Sequence, residues 1–361
     1  LRQHDPVGPE RARCQRDVGR HPVVAARSVA EAEHRHLGGV VHVRFEGTER
    51  PRGFDSRRRR VEAAGAALSS VQPEHGAGVE DVDLSDRTVL VTGATSGIGR
   101  ETALALGRLG ATVLVHGRNR DAGRAVVDEL GDGGHAFRRA DFADLDAVEG
   151  LAEWARERDP AVLVNNAGGY FREGRLTDAG VEYTFHVNHL APFLLTERLR
   201  PALPDDGRVV NVSSEAHRGA SLEFEALRSV DGYSGWRAYG RSKLANALHV
   251  RALADQLDGP TANALHPGVV PGSGFVRNLP APVRSVVSLA GGLASVPFVG
   301  VDSAAEAAQT SVYLAATPGL ATTGGYFDDC AERAPSTAAR DDRTAERLWT
   351  WSAETLDRNG H

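Results

Sequence analysis

The sequence predicts an α/β fold, a doubly wound parallel sheet forming one domain over residues 81–361, behind a disordered N-terminal arm of residues 1–80. Three observations predict it. Short apolar runs at 88–91, 112–116, 134–140, 161–164, 208–212 and 261–265 alternate with stretches of helical periodicity. Such alternation builds a parallel sheet with helices on both faces. The first run ends in Thr92-Gly93-Ala94-Thr95-Ser96-Gly97-Ile98-Gly99-Arg100, a glycine turn between a strand and a helix start. Composition also changes near residue 80, from a net charge of +3 over the first 80 residues to −9 over the remaining 281.

The arm holds Pro, Gly, Arg and His without a sustained amphipathic pattern, so it buries too little apolar surface to offset the entropy of ordering. The chain contains no Met, and the arm reads as an extension outside the native protein, which is expected to begin near Asp81. His4, Cys14, His21, His34 and His36 fit no compact zinc spacing, so no metal is expected. The run Arg57-Arg58-Arg59-Arg60 reads as a solvated segment, and no nucleic-acid partner is expected. Cys14 and Cys330 are the only cysteines, which suits a reducing compartment and a cytoplasmic protein. No run of 18 apolar residues occurs, so no membrane span is expected.

Taken in order, the first strand and its turn bring glycines to a helix start, where backbone N–H groups and the helix's positive end suit a pyrophosphate. The second strand ends in Gly117-Arg118-Asn119-Arg120. A carboxylate at its end would accept from the ribose 2′-hydroxyl of NAD(H). Gly117 stands there and Arg118 follows, and a guanidinium suits a 2′-phosphate. With Arg100 beside the glycine turn, NADP(H) is favoured over NAD(H). After the third strand comes Ala140-Asp141-Phe142, where Asp141 could accept from an adenine amino group. The fourth delivers Asn165-Asn166-Ala167-Gly168 to the same edge of the sheet.

Downstream stand Asn188 in Phe185-His186-Val187-Asn188-His189-Leu190, Val212-Ser213-Ser214, Tyr239-x-x-x-Lys243 and His266-Pro267-Gly268. Together with the glycine turn and Asn165-Asn166-Ala167-Gly168, these resemble the short-chain dehydrogenase/reductase family over about residues 84–352. With 6 Tyr in 361 residues, the single lysine would find a tyrosine four residues before it by chance only about 2% of the time. Tyr239 and Lys243 share one helix face. The ammonium, with a nicotinamide cation, is expected to lower the Tyr239 pKa towards working pH.

The resemblance implies a Rossmann-type fold and assigns roles. Tyr239 exchanges a proton with the substrate oxygen, Lys243 also holds the nicotinamide ribose, Ser214 hydrogen-bonds the substrate oxygen, and Asn188 positions a water in a proton relay. Expected cofactor contacts are Gly93, Thr95, Ser96, Gly97, Ile98, Gly99, Arg100, Arg118, Asn119, Asp141, Phe142, Asn165, Asn166, Ala167, Tyr239, Lys243, Pro267, Gly268 and Val270. Tyr233 and Ser213 are read as decoys. Tyr233 lacks a lysine four residues on, and Ser213 alternates to the other face of its strand from Ser214.

The 25 residues from Ser214 to Tyr239, with Tyr326-Phe327-Asp328-Asp329-Cys330 and Arg347-Leu348-Trp349-Thr350-Trp351-Ser352, look like the retinol dehydrogenase-like branch. That implies a small lipophilic carbonyl or alcohol substrate, and a homodimer or tetramer through the helices bearing Asn188 and Tyr239. Cys330 reads as a small structural hydrophobe. Residues 275–299 hold 14 Ala, Val, Leu or Phe, two Arg (Arg277 and Arg284) and no acid, which suits a substrate lid or a packed helix. One departure stands out: Gly272 occupies the place where the family usually has a nicotinamide-binding Thr, and Ser273 is the available substitute. The alternative function is a catalytically weak NADP-binding sensor on the same fold.

Overall fold

The computed structural model describes residues 79, 81–268 and 303–361. Most of the arm, Val270, Gly272, Ser273 and the 275–299 segment with Arg277 and Arg284 lie outside the described residues. From its start the sheet follows the apolar runs: β1 (Thr88–Val91), β2 (Thr112–Gly117), β3 (Ala136–Arg139), β4 (Val162–Asn165), β5 (Arg208–Val212) and β6 (Thr261–His266). Strand β3 is shorter than expected because Gly134 sits in the left-handed region at φ +72 and ends the extended backbone. Two further strands, β7 (Tyr326–Asp328) and β8 (Ala331–Glu332), were not anticipated. They are too short to carry a period, and Asp329 and Cys330 join them at φ +50 and +55.

The order is β3-β2-β1-β4-β5-β6-β7-β8, parallel except for β8. Alternation along the strands divides the core. Leu90, Leu114, Leu163 and Val209 face one side. Val89, Val91, Val113, Val115, Val162 and Val164 face the other. Both sides are covered, which is why the strands read as continuous apolar runs. On one face lie α3 (Leu145–Arg156), α4 (residues 183–199) and α5 (Gly235–Ala254); on the other lie α1 (Gly97–Arg108) and α6 (Ala304–Ala316). Helix α4 begins as Tyr183–Phe185, passes through a π-turn at His186–Leu190 and continues as Ala191–Leu199. Helix α2 (Arg120–Leu130) follows β2, and α7 (Asp342–Asp357) ends the chain.

Chain order reverses between β1 and β4, so the crevice beyond their carboxyl ends is where a ligand binds in such sheets. The glycine turn after β1 and Asn166-Ala167 after β4 flank that crevice. No helix among the described residues is long and apolar enough to cross a membrane.

Candidate active site

The glycine turn enters α1 with Ser96 as N-cap, yet the Ser96 side chain makes no capping bond and the first turn carries no acid. Helices α2, α3, α5, α6 and α7 each have a side-chain cap, from Asn119, Asp144, Ser234, Ser303 and Asp341. The uncapped donors of α1 suit an anion. Gly97, at φ +57, faces open space. Gly99 is pressed on the Gly93 carbonyl and the Asn166 amide, where a Cβ would fall 2.5 Å from the Gly93 oxygen. A tight turn with open space above it and unsatisfied donors fits the pyrophosphate of a dinucleotide.

The fourth strand holds that turn from the side. Asn166 Nδ2 donates to the Thr92 carbonyl at 2.8 Å, and the Asn166 and Ala167 N–H groups both donate to Thr92 Oγ1 at 3.0 Å. Asn165 points elsewhere. It is buried in the core, donating to Thr196 Oγ1 and Asn211 Oδ1 at 2.9 Å each. Its expected cofactor contact is therefore replaced by a packing role.

From below, the turn is held by His116, which sequence reasoning passed over. Gly93 N–H donates to His116 Nδ1 at 3.3 Å, and Ala94 N–H to the His116 carbonyl at 2.9 Å. The opposite ring nitrogen, Nε2, lies 3.2 Å from the Ala140 carbonyl. A ring accepting at Nδ1 and donating at Nε2 is neutral. Burial pushes its pKa down to about 4. The ring stacks on Phe142 at 4.7 Å, so Phe142 is a buried support for the turn. Strand-end position at the turn was the available signal; the polar residue stood inside an apolar run.

At the adenosine end, a Cβ on Gly117 would meet Thr95 Oγ1 at 2.9 Å and its methyl group more closely still, so any larger residue there requires the Thr95 side chain to shift. Arg118 is exposed, and Arg139 Nε donates to its carbonyl at 3.1 Å. Asn119 is occupied as the cap of α2, and Asp141 Oδ1 accepts from Ala143 N–H. Arg100 is turned away: it pairs with Glu101 at 2.6 Å and with Glu129 of α2.

The expected catalytic groups converge beyond the ends of β4 and β5. Tyr239 shares a hydrogen bond with Ser214. Lys243 lies 5.6 Å from the centre of the Tyr239 ring and donates to the Val212 carbonyl at 2.8 Å. The expected lowering of the Tyr239 pKa is not seen in the protein alone. Burial pushes the phenol up to about 12, against the Ser214 hydrogen bond, and pushes the Lys243 ammonium down to about 8. Desolvation disfavours the charged form of each.

Asn188 sits in the π-turn, fully buried. Its Oδ1 accepts from Gly169 N–H at 2.8 Å while Nδ2 donates to the Gly169 carbonyl and Ser242 Oγ at 2.9 Å each. The side chain clamps the turn after β4 rather than reaching outward. A Cβ on Gly168 would lie 3.0 Å from Asn188 Oδ1 and 3.7 Å from Lys243 Nζ, so this turn threads between the two. Both decoys are bonded into the scaffold. Ser213 Oγ donates to the Lys243 carbonyl, and the Tyr233 hydroxyl to the Phe171 carbonyl, at 2.8 Å each.

The long interval after Ser214 folds into two 3-10 turns, Glu215–Gly219 and Glu225–Arg228. His217, at the first, lies 2.7 Å from the Ser214 carbonyl through Nδ1 and accepts Ser336 N–H at Nε2, tying the Ser214 backbone to the C-terminal region. Beside Tyr239 stand Tyr170 and Trp236, with ring centres 6.3 and 6.4 Å away. Trp236 is 55% exposed. Gly268 follows β6 at φ +82 after Pro267, and Cys330 packs in the β7–β8 turn, its N–H donating to Thr310 Oγ1.

Comparison with known proteins accords with this arrangement. A family model described as short chain dehydrogenase matches residues 87–282. The chain is 40% identical over 289 residues to Retinol dehydrogenase 12 of Homo sapiens, spanning 76% of this chain and 88% of that protein. It is 39% identical over 281 residues to Dehydrogenase/reductase SDR family member 13 of Bos taurus, spanning 74% and 72%. Among solved structures, the angucycline C-6 ketoreductase LanV with bound NADP is 31% identical, with a TM-score of 0.55, over 71% of this chain and 97% of that one. On the extent of these matches the chain belongs to the short-chain dehydrogenase/reductase family, is retinol dehydrogenase-like, and is an oxidoreductase of carbonyl and alcohol groups.

Proposed function

We propose that the chain is an NADP(H)-dependent oxidoreductase interconverting lipophilic aldehydes or ketones with alcohols, with Tyr239 as general acid/base. The observation that carries this reading is the Tyr239–Ser214 hydrogen bond with Lys243 beneath it, at the sheet edge shared with the uncapped glycine turn. The nicotinamide supplies or accepts the hydride. Ser214 and Tyr239 together offer two hydroxyls to one substrate oxygen, and Tyr239 gives up its proton as that oxygen gains charge. With its pKa raised, Tyr239 is protonated at neutral pH, the form needed for reduction. Lys243, four residues on, supplies the positive charge that steadies the phenolate formed in that step. Asn188 fixes the Gly168–Gly169 turn against Lys243.

For the cofactor, the contacts proposed are the glycine turn from Gly93 to Gly99, Asn166 and Ala167, Arg118, and Lys243 with Tyr239. NADP(H) over NAD(H) is supported by glycine rather than a carboxylate at position 117, crowded by the Thr95 side chain, and by the exposed guanidinium of Arg118. A lipophilic substrate is supported by Trp236 and Tyr170 beside the Tyr239 ring. The functional domain is proposed to span 81–361, in the cytoplasm, where two cysteines would stay reduced.

The test is oxidation of NADPH and NADH against a panel of aldehydes and ketones including retinal, at low and high salt. Preferential consumption of NADPH with an apolar carbonyl is expected. Tight NADPH binding with no turnover across the panel would favour the sensor reading instead.

A further inference from the structure

Ser214 meets Tyr239 only if the chain leaving β5 is held in one direction. Ser213 N–H donates to the Leu265 carbonyl at 2.8 Å, which fixes the backbone as far as residue 213. Ser214 lies beyond the strand, in extended backbone, and caps the 3-10 turn Glu215–Gly219. Its carbonyl is taken twice by one residue: the His217 N–H donates to it at 3.1 Å, and His217 Nδ1 lies 2.7 Å away. A carbonyl only accepts, so Nδ1 carries the ring hydrogen. On the far side of the ring Nε2 accepts the Ser336 N–H at 3.0 Å, and an amide N–H only donates. The two neighbours leave one tautomer, a neutral ring with its hydrogen towards Ser214. Burial pushes the His217 pKa below its ordinary value, which keeps the ring in that form.

The clamp bears on the Ser214 hydroxyl. The direction of the Ser214 carbonyl sets the peptides that follow it, and with them the Ala216 N–H, which donates to Ser214 Oγ at 3.2 Å. A hydroxyl has one hydrogen and two lone pairs. With one lone pair given to Ala216, the rest is left for Tyr239 and a substrate oxygen. The turn is also pressed on the helix that carries Tyr239: a Cβ on Gly240 would fall 2.9 Å from the Ala216 carbonyl. A turn that shifts therefore moves against the residue next to Tyr239. His217 is fully buried with its ring 4.8 Å from that of Tyr326, and Arg218 beside it donates to the Ala334 carbonyl at 3.1 Å.

We propose, resting on the reading of Ser214 and Tyr239 as the pair that meets the substrate oxygen, that His217 is a positioning residue for Ser214. Its Nδ1–H holds the Ser214 carbonyl, and the Ser336 N–H, by occupying Nε2, keeps that hydrogen on Nδ1. His217 acts through Ser214 and takes no proton itself.

The test is a cycle of rates on the full chain, using single-turnover oxidation of saturating NADPH by whichever aldehyde or ketone the parent reduces fastest. The variants are His217→Gln, Ser214→Ala, the two together, and His217→Asn, with NADPH affinity and the urea midpoint measured on each. Gln places its amide where Nε2 stood, keeping a partner for Ser336 and releasing Ser214. Asn places its amide where Nδ1 stood, keeping Ser214 and releasing Ser336. The expected result is a His217→Gln rate lowered by about 10–100-fold at unchanged NADPH affinity, with no further loss on top of Ser214→Ala and most of the rate recovered in His217→Asn. If His217→Gln shows no folding transition, His217→Leu takes its place in the cycle. Gln and Asn variants of equal rate, or a His217→Gln loss that persists in full on top of Ser214→Ala, would overturn the positioning role and leave Ser214 in place. Should the parent reduce no carbonyl, or Ser214→Ala keep the parent's rate, the reading of Ser214 falls and the role of His217 with it.

Discussion

His116→Phe separates the polar role of the buried imidazole from its volume. A phenyl ring keeps the stack on Phe142 but loses both ring nitrogens, stranding the Gly93 N–H and the Ala140 carbonyl. A buried group left without a partner costs about 1–3 kcal/mol. Gly93 is half-buried and can recover a water, whereas Ala140 is 3% exposed and cannot. The sum is therefore about 2–4 kcal/mol, a large part of the roughly 5–15 kcal/mol that a domain has. Urea denaturation should show a lower midpoint at unchanged slope. Because the freed Gly93 belongs to the cofactor turn, NADPH fluorescence titration should show binding weakened about tenfold, equivalent to about 1.4 kcal/mol. A variant with the parent's midpoint and the parent's NADPH affinity would refute the reasoning.

Other consequences are as direct. Burial holds His116 and His186 at a pKa of about 4 and His249 at about 3, below the ordinary 6.5. The unfolded chain thus binds more protons below pH 6.5, so stability is full above that value and falls as pH drops towards 4, by about 1–2 kcal/mol per histidine between pH 6.5 and 5; urea midpoints across that range check it. Gly99→Ala forces a methyl group onto the Gly93 carbonyl and the Asn166 amide, and it should abolish NADPH binding in a titration while leaving a folded sheet by circular dichroism. Trp236→Ala should raise KM for lipophilic carbonyls several-fold, with little change for short aldehydes, in steady-state assays.

Much of this site is legible in the sequence because its chemistry needs fixed spacings. The glycine turn, Asn166-Ala167 and Ser214 follow the carboxyl ends of β1, β4 and β5, which the strand pattern dictates, and the Tyr239–Lys243 pair shares one face of α5. What escaped is tertiary. His116 reads as part of an apolar strand until the turn is folded above it. Asn165 and Asn166 are neighbours, yet strand alternation sends one into the core and the other to the glycine turn. Arg100 carries the right charge in the right place, but Glu129, on a helix 29 residues on, claims it. The pair of short strands at Tyr326 and Ala331 has no period to detect.

The central claim is that Tyr239 delivers the proton while the turn and Lys243 hold the cofactor. Single-turnover oxidation of saturating NADPH by the parent protein and by Tyr239→Phe, with NADPH affinity measured on both, tests it most directly. The account predicts a rate lowered by about 10²–10⁴-fold with NADPH affinity nearly unchanged; a variant that oxidises NADPH at the parent's rate would contradict it.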